Sequence, residues 1–155
     1  MFKNEVAEFI YKRTYSRWLE DEKRREDWPE TIERVIDFLS SEKDNIPEKT
    51  LRKIRKYMTE FSVMPSMRLV WAAGDAARRD NTVIYNCSFA KMNCIEAFAE
   101  CLHILMCGTG FGFSVEQEEV DKLPTIQEIK SGRDQPVVPI YDSREGWADS
   151  VKTLM

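Results

Sequence analysis

The sequence predicts an α/β fold: a helical first third, then strands that alternate with helices. Three observations carry this. Apolar residues through residues 1–60 fall at helical spacing. Thr82 to Phe89 is a run of β-forming residues, and Phe111 to Val115 is a second. Between them Ile95, Phe98, Leu102 and Leu105 return to a helical stripe, so two strands flank one helix.

In chain order, Val6, Phe9 and Ile10 give a short apolar stripe. A second helix opens near Asp27-Trp28-Pro29-Glu30, where Pro29 suits the first turn and Asp27 with Glu30 forms a capping box. Its Ile32, Val35, Ile36 and Leu39 recur at i, i+3, i+4 and i+7, the buried face of a helix. Pro47 opens a third helix bearing Leu51, Ile54, Tyr57 and Met58. The pattern changes at Phe61. Leu69 to Gly74 is a short apolar segment closed by glycine, and a charged loop from Asp75 to Asn81 precedes the first strand.

Asn93 with Glu96 makes a capping box for the helix that runs to about Met106. Residues 116–134 are polar and read as loop. Val137 to Tyr141 resumes an extended stretch, broken by Pro139 and so suited to an edge. Asp142 with Glu145 caps a last helix, whose Trp147, Val151 and Leu154 share a face. That stripe reaches Met155 without a glycine stop, the pattern of a helix that continues in a longer protein. The expected organisation is a helical region at 1–60, an α/β region at 61–141 and the start of a further helix at 142–155.

Composition bounds the function. With 43% hydrophobic and 32% charged residues over 155 positions, the chain fits one soluble domain or a piece of a larger one. A net charge of −4 argues against a partner of duplex nucleic acid. Basic clusters at Arg24-Arg25, Arg52 to Lys56 and Arg78-Arg79 have acids among or near them and read as solvated helix faces. No apolar run has membrane-spanning length, and the residues after Met1-Phe2 turn polar at once, so no signal peptide or membrane partner is expected and the expected location is cytoplasmic. All four cysteines lie between residues 87 and 107, none in a Cys-x-x-Cys pair, and His103 is the only histidine. That pattern suits a reducing compartment and predicts no metal site.

The stretch that carries chemistry is Met106-Cys107-Gly108-Thr109-Gly110-Phe111-Gly112-Phe113, read with Asn86-Cys87-Ser88-Phe89. Familiar nucleotide loops run strand, glycine loop, helix, which brings the phosphate to a helix N-terminus. Here the glycines follow a helix and precede a strand, so the Cys87 thiol and the bare loop line one pocket with no P-loop. Gly108 and Gly110 let backbone N–H groups approach an anion or hydroxyl without a side chain between, and Thr109 adds a hydroxyl. The same residues also suit a plain helix-to-strand turn and a structural cysteine. Cys94, Cys101 and Cys107 read as packing residues.

With these segments, the chain resembles the N-terminal part of an adenosylcobalamin-dependent (class II) ribonucleotide reductase, of the monomeric type that acts on nucleoside triphosphates. The resemblance rests on Phe9 to Trp18, Arg24 to Thr31, Met64-Pro65-Ser66-Met67-Arg68, Asn86 to Phe89, the glycine loop, and Asp142-Ser143-Arg144-Glu145-Gly146-Trp147, in the family's order. It implies that 61–141 is the first part of a ten-stranded α/β barrel, incomplete in this chain. It also implies radical chemistry. Cobalt–carbon homolysis generates a thiyl radical on a cysteine, that radical takes the 3′ hydrogen, and a cysteine pair reduces the 2′ carbon as water leaves.

Cys87 matches the first cysteine of that pair. Its partner, the radical cysteine and a nearby glutamate would lie in the C-terminal portion, without which this chain is expected to be inactive. Ser66 resembles a substrate-phosphate contact, with Met67 as the alternative if the alignment slips. Ser88, Gly108, Thr109 and Gly110 are further substrate-binding candidates, and Arg68 a phosphate-neutralising one. Asn93, Asp142 and Ser143 are candidates for holding a dNTP allosteric effector, although they suit ordinary helix caps as well. The implied cofactor is adenosylcobalamin, held mainly outside this chain. The implied partners are the C-terminal portion of the reductase, a ribonucleotide substrate and a thioredoxin-type reductant acting through C-terminal cysteines. Two other readings stand beside this one: a non-catalytic reductase remnant that acts as an interaction module, and a small nucleotide-binding protein. The absence of Lys-Ser or Lys-Thr after the glycines speaks against the last.

Overall fold

The structure, a computed structural model, describes residues 2–42, 46–125 and 137–155. The chain divides into two compact units, Met1–Tyr85 and Asn86–Met155.

The first unit is mainly helical. It comprises α1 (Glu5–Thr14), a two-residue antiparallel pair β1 (Trp18–Leu19) and β2 (Arg24–Arg25), α2 (Trp28–Glu42), α3 (Glu48–Thr59), α4 (Met67–Ala72), α5 (Asp75–Arg79) and a 3-10 turn at Asn81–Ile84. The capping box forms as the sequence requires. The Glu30 amide donates to Asp27 Oδ1 at 3.0 Å, and the Asp27 amide donates to Glu30 Oε2 at 2.7 Å. Ile32, Val35 and Ile36 are buried at 1%, 0% and 2% exposure, each worth roughly 1.5–3 kcal/mol in transfer free energy. Phe38 completes that face, while Leu39 is half-buried. Leu51 and Met58 of α3 and Val70 and Ala72 of α4 supply the rest of the core.

Glu26 is the polar centre of this unit. Its buried carboxylate accepts from Arg34 Nε at 2.8 Å, Arg34 Nη2 at 3.0 Å, Thr31 Oγ1 at 2.9 Å and the Arg17 amide at 3.1 Å. Arg34 also donates to the carbonyls of Val70 and Ala73, so one guanidinium joins α2 to the end of α4.

Two expectations fail here: the inward stripe of α1, and the charged loop from Asp75, which winds into α5 over Asp75–Arg79. Val6, Phe9 and Ile10 face outward, and α1 packs through Tyr11 instead, whose ring stacks on Phe2 and meets Trp28 edge-on. Leu69 to Ala72 is helical. Ser66 caps α4 by accepting from the Arg68 amide at 3.2 Å, and Gly74 turns the chain afterwards at φ +104°.

The second unit is a βαβ motif with a second helix laid on it. β3 (Cys87–Lys91) and β4 (Gly110–Ser114) pair in parallel and are joined by α6 (Ile95–Met106); α7 (Gln117–Val120) and α8 (Arg144–Leu154) follow. The strand predicted from Thr82 starts only at Cys87, because Asp80 caps the 3-10 turn over Asn81–Ile84. Small residues allow α6 and α8 to lie close together. Ala97 and Ala99 of α6 are buried, as are Gly146, Ala148 and Ser150 of α8. The larger residues expected inside stay partly out, with Leu105 at 49% and Trp147 at 47% exposure. Residues 137–141 form no strand, and the part of the expected polar loop at 126–134 lies outside the described residues. Among the described residues, no helix is long and apolar enough to cross a membrane.

Candidate functional site

The second unit brings the thiol and the glycines together. Parallel register sets Cys87 opposite Gly110, Ser88 opposite Phe111 and Phe89 opposite Gly112. The Gly110 amide donates to the Asn86 carbonyl at 2.9 Å, and Ser88 Oγ donates to the Gly110 carbonyl at 3.1 Å. Side chains alternate along β3, leaving Cys87, Phe89 and Lys91 on the exposed face. Glycine in β4 keeps the strip beside them bare. A Cβ on Gly110 would lie 3.9 Å from Cys87 Sγ and 3.4 Å from the Asn86 oxygen, and one on Gly112 would lie 3.3 Å from the Phe89 ring. The result is a solvent-facing thiol on a strand, flanked by backbone with no side chain in the way.

The turn before β4 is fixed from inside. Cys107 ends α6, Gly108 takes the left-handed conformation at φ +80°, and the Gly108 amide bonds the Leu105 carbonyl at 2.9 Å. Thr109 is 2% exposed, so its side chain packs in the interior while Gly108 and Gly110 remain at the surface. Of the three loop residues named from sequence, two thus offer backbone to solvent and one anchors the turn.

Cys107 is buried and takes a hydrogen bond from Arg144 Nη1 at 2.8 Å, with His103 Nε2 at 3.7 Å from the same sulfur. Sequence reasoning missed Arg144. The available signal was electrostatic: a cation in the first turn of a helix opposes the macrodipole and needs a partner from outside the helix. Burial pushes the Cys101 thiol above its ordinary pKa. All four cysteines are free thiols.

The two expected caps are each displaced by one residue. Cys94, not Asn93, occupies the N-cap of α6, and the Asn93 side-chain Nδ2 instead donates to Glu119 Oε2 at 2.9 Å. Ser143, not Asp142, caps α8, its hydroxyl accepting from the Gly146 amide at 2.9 Å, and Asp142 is exposed. Glu119, which lay in a predicted loop, is a buried carboxylate held by three donors. Lys122, Lys91 and Asn93 together pull its pKa down to about 2.

Ser66 belongs to the first unit, exposed, with its hydroxyl 3.5 Å from the Ile84 carbonyl and accepting from the Arg68 amide. Arg68 donates to the Val83 carbonyl at 3.0 Å and lies over the Trp71 ring at 4.8 Å. The first unit also holds an aromatic cleft of about 620 Å³ lined by Phe2, Tyr11, Trp28, Phe61, Met64 and Met67 among others. Of the site residues named from sequence, Met67, the alternative to Ser66, lines it.

The profile of the ribonucleotide reductase alpha domain matches residues 1–75. An adenosylcobalamin-dependent ribonucleoside-triphosphate reductase of Lactobacillus gasseri is 28% identical over 80% of this chain and 21% of its own length. Its namesake from Lacticaseibacillus paracasei is 28% identical over 96% of this chain and 24% of its own. The chain thus spans between a fifth and a quarter of these relatives. A crystal structure of a B12-dependent (class II) ribonucleotide reductase superposes on 92% of this chain and 28% of that one, with a TM-score of 0.69 at 20% identity, which shows a shared fold. Over a fraction of their length, then, this chain is similar in sequence to adenosylcobalamin-dependent ribonucleoside-triphosphate reductases and in fold to a class II ribonucleotide reductase.

Proposed function

We propose that this chain is the N-terminal portion of a ribonucleotide reductase and supplies one reducing thiol, Cys87, together with part of the substrate pocket. The observation that carries the reading is the exposed Cys87 thiol registered against Gly110, with no side chain between strand and solvent. Removing a ribose 2′-hydroxyl as water needs two electrons and a proton donor close to the carbon. Two thiols that become a disulfide supply both: ribonucleotide plus two thiols gives deoxyribonucleotide, disulfide and water. Cys87 is one of the two. We assign its partner, and the cysteine that carries the thiyl radical, to sequence beyond this chain.

The neighbouring groups suit a sugar phosphate. Gly108 and Gly110 carry no side chain that would keep a ligand off, while their amides already donate to the Leu105 and Asn86 carbonyls, so what they offer is close approach and not free N–H donors. Ser88 adds a hydroxyl that bonds the Gly110 carbonyl. Ser66 remains the candidate phosphate contact, and Asn93, Asp142 and Ser143 the candidate effector contacts. Thr109 acts from the interior, by holding the turn. Adenosylcobalamin, the cofactor named for the relatives, we assign mainly to residues outside this chain. A parallel pair with Phe89 and Phe113 at 66% and 57% exposure is what the start of a larger, covered sheet looks like, in keeping with a barrel completed by further strands. Triphosphates are the substrate level the relatives' names point to.

The test is deoxyribonucleotide formation by this chain combined with the remaining portion of the reductase, given adenosylcobalamin and a dithiol. Wild type should turn over, and Cys87→Ser should abolish reduction while nucleotide binding persists. Equal turnover in Cys87→Ser would overturn the assignment. A well-folded combination with no turnover would favour the interaction-module reading, which the same exposed sheet supports.

A further inference from the structure

We propose that Arg144 is a positioning residue for the Cys87–Gly110 surface. Through the sulfur of Cys107 it ties the start of α8 to the turn that sets Gly110 in register, so that moving the start of α8 moves the pocket wall. The inference rests on the reductase reading for its functional meaning, but its geometry stands alone.

Helices α6 and α8 run antiparallel and are clasped at both ends. At one end, Lys152 of α8 pairs with Glu96 of α6 at 3.1 Å. At the other, Arg144 Nη1 donates to Cys107 Sγ at 2.8 Å. The two clasps are not equivalent. Lys152 and Glu96 are both more than half exposed, and such a surface pair contributes little. Cys107 is buried at 5% exposure and stands three residues before Gly110.

Those three residues have little slack. The Cys107 amide bonds the His103 and Ile104 carbonyls, the Thr109 amide bonds the Ile104 carbonyl, and Thr109 is packed inside. The next amide, that of Gly110, is the one held by Asn86 beside the thiol. A guanidinium fixed on Cys107 therefore fixes the turn, and the turn fixes the glycine that faces Cys87. At the other end of the lever, Arg144 directly follows Asp142 and the capping Ser143. A ligand that reorganised this cap would act on the turn most directly through the Arg144–Cys107 contact.

The test reads the Gly110 amide directly, by hydrogen exchange in the full chain. Arg144→Met and Cys107→Ala should each speed exchange of that amide several-fold, the loss expected for one modest hydrogen bond to a weak sulfur acceptor. The double variant should be no faster than either single one, since both remove the same contact. Arg144→Lys should recover part of the protection. Lys152→Met cuts the other clasp of the same helix pair and should leave Gly110 unchanged, whatever it does to the melting temperature. Unchanged exchange in Arg144→Met, additive effects in the double variant, or equal acceleration in Lys152→Met would each overturn the proposal. The functional reading is judged separately, by whether a ribonucleoside triphosphate protects Cys87 of the wild type from alkylation. Exchange and protection fail independently of one another.

Discussion

Arg34 grips Glu26 through two nearly parallel hydrogen bonds, Nε to Oε1 at 2.8 Å and Nη2 to Oε2 at 3.0 Å, where the two side chains are only 17% and 5% exposed. Removing the cation strands a buried carboxylate, whereas removing both partners leaves no charge unpaired. Arg34→Met should cost the first unit about 3 kcal/mol, read as a shift of the urea midpoint. Arg34→Met with Glu26→Gln should cost less than Arg34→Met alone. A single variant as stable as wild type would show the pair to be incidental.

The same carboxylate sets the acid limit of the first unit. Burial pushes the Glu26 pKa up, but the Arg34 hydrogen bonds, the Arg17 amide and Thr31 outweigh it and hold the pKa below the ordinary value. A depressed folded pKa means the stabilisation is complete above the unfolded value of about 4.3 and drains away as pH falls toward the folded one. Stability measured from pH 6 downward should therefore decline more steeply in wild type than in Glu26→Gln. Parallel curves would remove Glu26 as the cause.

Glu119 offers a cleaner titration. With Lys122, Lys91 and Asn93 around it, its carboxyl should titrate by NMR at about 2. Lys91→Met should move that midpoint up toward the ordinary glutamate value, and stability from this cluster should survive acidification that has already neutralised other carboxylates. A midpoint in the ordinary range for wild type would mean the lysines are solvated away from it.

Gly110 tests the bareness of the site. A single added carbon makes ordinary van der Waals contact with Cys87 Sγ at 3.9 Å and a tighter one with the Asn86 oxygen at 3.4 Å, so Gly110→Ala should fold. Gly110→Val adds branches that cover the sulfur and should slow iodoacetamide modification of Cys87 several-fold. Unaltered modification kinetics in the valine variant would place the open side of the thiol elsewhere.

Gly146 is a glycine of a different kind. Alanine in a helix is ordinarily better than glycine by about 1 kcal/mol. Here its Cβ would sit 2.5 Å from the Tyr141 oxygen and 2.8 Å from the Tyr141 Cβ, so backbone must move. Gly146→Ala should destabilise by about 1–3 kcal/mol, in line with overpacking, as measured by thermal or denaturant unfolding. A gain in stability would show that the 141–143 segment gives way freely.

What was legible in the sequence were features set by neighbours along the chain. The Asp27–Glu30 box and the Ile32, Val35, Ile36 stripe depend on residues a turn apart, and both were found where expected. So was the order β3, α6, β4, although the Val83-Ile84 part of the first run winds into a 3-10 turn and only its end becomes β3. What escaped depends on partners far off. Asn93 is drawn from the cap position by Glu119, and Ser143 outcompetes Asp142 because its backbone is extended and its hydroxyl reaches the Gly146 amide. The inward turn of Ala97 and Ala99 rather than Leu105 follows from how closely α8 lies, which no window of local sequence encodes. At the candidate site, Cys87, Ser88 and the two exposed glycines were named from the order of parts together with the family resemblance, whereas the Arg144–Cys107 contact needed the fold.

The parallel pairing of β3 with β4 has a kinetic side. A hairpin can zip from its turn, one rung at a time. Cys87 and Gly110 have no such route, because the 12-residue helix α6 must wind and cross before the first rung forms. Thiol and glycine are strangers in the unfolded chain and meet only late. An intact Cys87–Gly110 rung therefore reports a completed crossover, and a chain without it would present the Cys87 sulfur without the glycine strip beside it.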